Sequence, residues 1–171
     1  MRRSLACLLL LGCACPKNEA AAPPVVPPAP RAVVDDCTLA TKLLPGVPGS
    51  PGNLIASERN PNGASELATH MRLMVDDVRD AKAKVLAGQA VPALRERHRK
   101  LRCAWPTSPS DRNEAFDAMA LSYLSKVAAL DAKPADARAA YTAVVGACRT
   151  CHEATCDGPI AVIDGLELDA K

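Results

Sequence analysis

The sequence predicts an all-α fold, an up-and-down four-helix bundle preceded by a Pro/Ala-rich tether. Three observations carry that reading. Aromatic residues make up 2% of the chain while alanine and leucine fill its second half, a balance that favours helices over sandwiches or barrels. Apolar residues recur there at alternating steps of three and four, the spacing of one helix face. The prolines crowd towards the N-terminal third, which leaves a single core of roughly 100 residues.

In chain order, Arg2 and Arg3 precede an apolar run, Leu5 to Leu11, that is too short to span a bilayer and reads as a secretory signal over residues 1–12. Leu10-Leu11-Gly12-Cys13 matches a bacterial lipobox, in which cleavage before Cys13 leaves that cysteine to carry lipid. An ordinary signal with an incidental cysteine is the plainer alternative. Either way the mature protein is expected outside the cytoplasm, facing the periplasm and, with the lipid, anchored to a bacterial membrane. Residues 13–62 are expected to form a tether and an irregular segment, with Leu43, Leu44, Leu54 and Ile55 able to pack part of it onto the domain.

Four helical stripes follow over residues 63–157. The first comprises Leu67, Met71, Met74, Val78, Ala81 and Val85 and stops before Gly88. Val91, Leu94, His98, Leu101 and Trp105 continue the spacing in a second helix. Ser108-Pro109-Ser110-Asp111 breaks the chain and offers caps, after which Phe116, Met119, Ala120, Tyr123, Leu124, Val127 and Leu130 form the third stripe. Pro134 suits the opening of a fourth helix, whose inward face is Ala137, Tyr141, Val144, Cys148 and Cys151. Residues 158–171 remain as a short tail or helix.

The net charge of +2 is too small for a nucleic-acid partner, and no Ser/His/Asp set or phosphate loop suggests an enzyme. The specific signal is Cys148-Arg149-Thr150-Cys151-His152, whose Cys-x-x-Cys-His spacing is that of c-type haem attachment. On a helix, residues three and four apart share a face, so both thiols and the imidazole can address one side of a flat macrocycle. The thiols would form thioethers and His152 would be the proximal iron ligand. A zinc site would want a second ligand pair, and a redox dithiol a βαβ context; neither is evident.

The stretch Ala139-Ala140-Tyr141-Thr142-Ala143-Val144-Val145-Gly146-Ala147-Cys148-Arg149-Thr150-Cys151-His152 resembles the last helix of the class II cytochromes c, the family that includes cytochrome c′. The resemblance covers roughly residues 63–157, with the haem motif as its specific part. Where the family commonly has an arginine four residues after the histidine, Cys156 stands here. The resemblance implies one haem c near the C-terminal end of helix 4. In an up-and-down bundle that end meets the start of helix 1, the end of helix 2 and the start of helix 3. Met71, Met74, Leu101, Phe116 and Met119 are therefore expected around the haem. In low-spin family members a methionine early in helix 1 is the sixth ligand; Met71 matches it, with Met74 the alternative. His70 lies just off the stripe, and His98, at an apolar position, is expected to be a hydrogen-bonded interior histidine.

Once Cys7 leaves with the signal, Cys13 takes lipid and two thiols take haem, Cys15, Cys37, Cys103 and Cys156 remain. Cys103 and Cys156 fall at the same end of the expected bundle and make a disulfide candidate, with Cys37 as rival partner and four free thiols as the other possibility. Arg95, Arg97, Arg99, Lys100 and Arg102 make a basic run, expected as a solvated face, or else as a docking patch for an acidic redox partner or a counter-charge for haem propionates. The expected function is one-electron transfer outside the cytoplasm with redox partner proteins. The alternatives are a gas-binding haem protein with an open sixth site and a haem-free structural lipoprotein.

Overall fold

A computed structural model describes residues 37–169; the signal, Cys13 and Cys15 lie outside them. Over that span the chain is mostly helical, with a two-stranded sheet. Three long helices dominate: α1 (Glu66–Leu86), α3 (Glu114–Asp131) and α4 (Ala137–Thr155). Two short ones, α2 (Arg95–His98) and α5 (Ile160–Asp164), fill the gaps between them.

The periodicities of the first, third and fourth stripes were sound guides because caps and apolar faces agree there. Ser65 caps α1 by accepting from the Ala68 N–H, Asn113 caps α3 at Phe116, and Asp136 caps α4 at Ala139. The fourth helix thus begins at Ala137, with Pro134 outside it. The second stripe differs. It is not a full helix but one turn of α2 and a 3-10 turn over Arg99–Arg102, so no clear four-helix bundle forms. Pro92 disfavours helix in the residue before it and lacks an N–H of its own, which blocks propagation from Val91. Asp131, at the end of α3, then accepts from the Leu94 and Arg95 N–H groups and starts the helix only there.

The segment before α1 is not wholly a tether. A hairpin pairs β1 (Ile55–Ser57) with β2 (Asn60–Ala64), antiparallel, with Ile55 opposite Ala64. Gly63 lies at φ +83°, and a Cβ there would fall 2.5 Å from that of Leu54, so the close approach of the two strands requires glycine. Leu44 and Leu54 are exposed rather than packed. What fixes the segment is polar and covalent: Cys37 is bonded to Cys103, Arg112 donates to the Thr38 carbonyl, and the Trp105 indole N–H donates to the Leu44 carbonyl at 2.7 Å.

The core is one cluster between α1, α3 and α4, including Val78, Ala81, Leu124, Val127, Tyr141 and Val144. The C-terminal segment belongs to it. Ile163 and Leu166 are buried, and the Tyr141 hydroxyl donates to the Leu166 carbonyl at 2.7 Å. Among the described residues no helix is long and apolar enough to cross a membrane.

Candidate functional site

The inward face of α4 changes character along its length. Tyr141, Val144 and Val145 are tightly packed, but one turn further on Cys148, Cys151 and His152 are only partly covered and line a cavity of about 980 Å³. That is near the top of the range for ligand cavities, roughly 300–1,000 Å³. To the same lining α1 supplies Leu67, Met71 and Met74, while α3 supplies Phe116 and Tyr123. The C-terminal segment closes the remaining side with Val162, Ile163 and Leu166. The walls are mainly apolar, as a macrocycle would require.

Helical spacing brings the two thiols and the imidazole to the same cavity. Cys148 and Cys151 are not bonded to each other. Burial, with the neighbouring Cys151 adding to it, pushes the Cys148 thiol up to about 12. Burial also raises Cys151, against the hydroxyl of Thr155. Both sulfurs are therefore held as neutral thiols at neutral pH, the opposite of the depressed pKa that activates a redox dithiol. His152 Nδ1 donates to the Cys156 carbonyl at 3.0 Å, which assigns the proton to Nδ1 and leaves Nε2 with a free lone pair. A backbone partner of this kind orients a metal-ligating imidazole. Among the described residues, no group of three or more His, Cys, Asp or Glu side chains is assembled to hold a bare metal ion.

Both methionines of the first stripe reach the cavity, Met74 buried and Met71 half-buried. Phe116 lines it as expected. Leu101 and Met119 do not line it. Leu101 lies in the 3-10 turn that replaces the second helix and packs into the core, whereas Met119 sits on the edge of the α3 stripe, about 60° from Phe116 at 100° per residue, and is half-exposed.

The two remaining histidines are committed elsewhere. His98 is fully buried, accepts the Tyr123 hydroxyl at Nδ1 (2.9 Å) and donates from Nε2 to the Asp77 carboxylate (3.1 Å), which Arg97 also meets at 2.7 Å. It is the satisfied interior histidine its position suggested. Burial lowers its pKa despite Asp77, so the ring is neutral. His70 donates to the His98 carbonyl at 3.3 Å, and burial lowers its pKa too; it does not line the cavity.

The expected Cys103–Cys156 pair is corrected: Cys103 bonds Cys37, and Cys156 is exposed and free at the cavity rim. Arg112 accounts for the choice, because it donates to the carbonyls of both Arg102 and Thr38 and draws the two cysteine-bearing segments together. In the basic run, Arg97 pairs with Asp77, Arg99 with Glu96 and Arg102 with Asp117, and none of its residues lines the cavity. The cavity's cations are instead Arg59, Arg72 and Arg79, which the helical pattern did not mark. The C-terminal wall was missed for a similar reason, since a five-residue helix is too short to carry a periodicity. Compared with known protein families, curated proteins and solved structures, the chain matches none.

Proposed function

We propose that the chain is an exported c-type cytochrome that passes single electrons through one covalently held haem. The observation that carries this reading is the convergence of Cys148, Cys151 and His152 with Met71 and Met74 on one large, apolar cavity. The three residues of the motif could have met solvent; instead they look into a space of ligand size. When bound, the haem supplies an iron that alternates between ferric and ferrous states. The chain's own residues hold and tune it. Cys148 and Cys151 would hold the haem through thioethers, each formed by adding S–H across one vinyl group with no oxidant consumed. His152, its ring oriented by the Cys156 carbonyl, would supply Nε2 as an iron ligand. Met71, or Met74 close to it on α1, would supply a thioether ligand, which favours the reduced metal.

The three long helices, with α2 and the adjoining turn in place of the fourth, serve in this reading as the helical scaffold of a class II cytochrome c. The carrier is exported by the signal in residues 1–12 and tethered by lipid on Cys13. Redox partner proteins dock outside the cytoplasm.

An absorption spectrum of protein produced in cells that attach haem outside the cytoplasm tests the proposal. The expected result is a low-spin haem that persists on denaturing electrophoresis. A high-spin haem that takes up carbon monoxide would move the reading to a gas-binding protein. Absence of a Soret band would leave a haem-free lipoprotein.

A further inference from the structure

A haem is not uniformly apolar. One edge carries two carboxylates, and a cavity that takes it must meet them with cations or open that edge to water. Of the side chains lining the cavity, Asp76 and Asp111 are anionic and Arg59, Arg72 and Arg79 cationic. The charges are not equally available. Asp76 is taken by Arg79 at 2.7 Å, and Asp111 accepts the Ser108 N–H at 3.3 Å. Arg59 and Arg72 make no ion pair among the described residues. The charges on the cavity wall without an ionic partner among the described residues are thus two guanidinium groups against one carboxylate, Asp111, whose oxygen is already turned to the Ser108 N–H.

Arg59 is exposed and Arg72 half-buried, and the backbone of both is held in place. Arg72 follows Met71 on α1, half-buried at the cavity wall. Arg59 stands in the turn of the β1–β2 hairpin, and the hairpin leads through the capping residue Ser65 directly into α1. Ser65 in turn meets the Thr107 hydroxyl at 3.2 Å, and the Glu66 carboxylate accepts the Trp105 N–H at 3.0 Å, so the base of the hairpin is fixed to the loop behind it. Antiparallel pairing of Ile55 with Ala64 and of Ser57 with Asn60 joins its two strands. A planar guanidinium offers a carboxylate two parallel N–H bonds, which sets orientation as well as charge.

We propose that Arg59 and Arg72 form a dicarboxylate subsite that binds the acidic edge of a porphyrin and sets which way round it enters the cavity. The inference rests on the haem reading above, and it moves the counter-charge from the basic run at Arg95–Arg102 to the hairpin and α1. It also assigns the hairpin a role that its sequence, NPNGA in the second strand, did not suggest.

The test separates the two claims. Full-length protein with reduced thiols is titrated with metal-free mesoporphyrin IX, whose ethyl groups cannot form thioethers, and with its dimethyl ester, followed by porphyrin fluorescence. The diacid is expected to bind roughly tenfold more tightly than the ester, a preference that shrinks as salt screens the pairs. The double variant Arg59→Gln/Arg72→Gln should bind both porphyrins like the ester, while Lys100→Gln, which removes a charge outside the cavity, should keep the preference. Equal binding of diacid and ester by the unaltered protein, or a preference that survives in the double variant, would overturn the subsite and leave the haem reading standing. Failure of both porphyrins to bind would overturn the cavity's role, and the subsite with it.

Discussion

The two halves of α4 are built from similar small residues and do opposite things. In the N-terminal half Tyr141 and Val144 have no exposed surface at all, and every inward side chain finds a partner on α1, α3 or the C-terminal segment. In the C-terminal half Cys148, Cys151 and His152 face a space no side chain of the described residues fills. Packed interiors ordinarily leave few voids larger than a water molecule. A cavity of about 980 Å³ beside a closed core therefore marks a division along the helix, with one end packed into the core and the other lining a space of ligand size.

The sharpest way to break the comparison is at the open end. Cys148→Ala/Cys151→Ala should abolish all covalently bound haem while leaving the helical circular dichroism of the protein intact; covalent haem in that variant would refute the attachment. At the N-terminal anchor the disulfide between Cys37 and Cys103 closes a loop with a separation of 66 residues, and its loss should cost roughly 4 kcal/mol by the loop-entropy relation. Denaturant unfolding of Cys37→Ser against the parent measures it, and an unchanged midpoint would show that this link does not hold the segment. In the closed end Leu124→Ala should cost about 3 kcal/mol. Met71→Ala, at the cavity wall, should cost the haem-free protein less than about 1 kcal/mol, because its surroundings are already open. The same substitution should convert low-spin haem into a form that binds carbon monoxide, whereas Met74→Ala should not. Reversal of the two methionines would shift the ligand by one turn.

The smallest effect is a pH dependence at the hydrogen-bonded chain Tyr123–His98–Asp77, whose imidazole is fully buried. His70, Arg97 and Lys100 also face these histidines. Since burial lowers the folded pKa of His98 below its ordinary 6.5, the unfolded chain binds the proton more readily. Stability is full above pH 6.5 and falls as the pH drops from there through the folded value. His98→Gln should flatten that fall in unfolding midpoints taken across the acid range; an unaltered slope would assign it to other groups, His70 first.

Much of this was legible in the residues. The stripes of α1, α3 and α4, their caps and the Cys148–His152 motif are local patterns, and local patterns survive because each is read over one or two turns. What escaped depended on distant partners. Pro92 and Asp131 together decide that residues 91–105 make the single turn of α2 and a 3-10 turn rather than a full helix, and Asp131 lies 37 residues from Leu94. The partner of Cys103 was decided by Arg112 reaching Thr38, a contact no spacing announces. Arg59, Arg72 and the wall formed by Val162, Ile163 and Leu166 reach the cavity only through the fold.

The central claim, a haem joined to both cysteines, is tested most directly by mass. Trypsin cuts after Arg149 and separates Cys148 from Cys151, so two thioethers would hold the resulting peptides together through the macrocycle after reduction. For mature protein from a haem-attaching host, a single species carrying both peptides and one haem, with neither cysteine open to alkylation, is the predicted result. Two separate peptides, each alkylated at its cysteine and neither carrying added mass, would contradict the account.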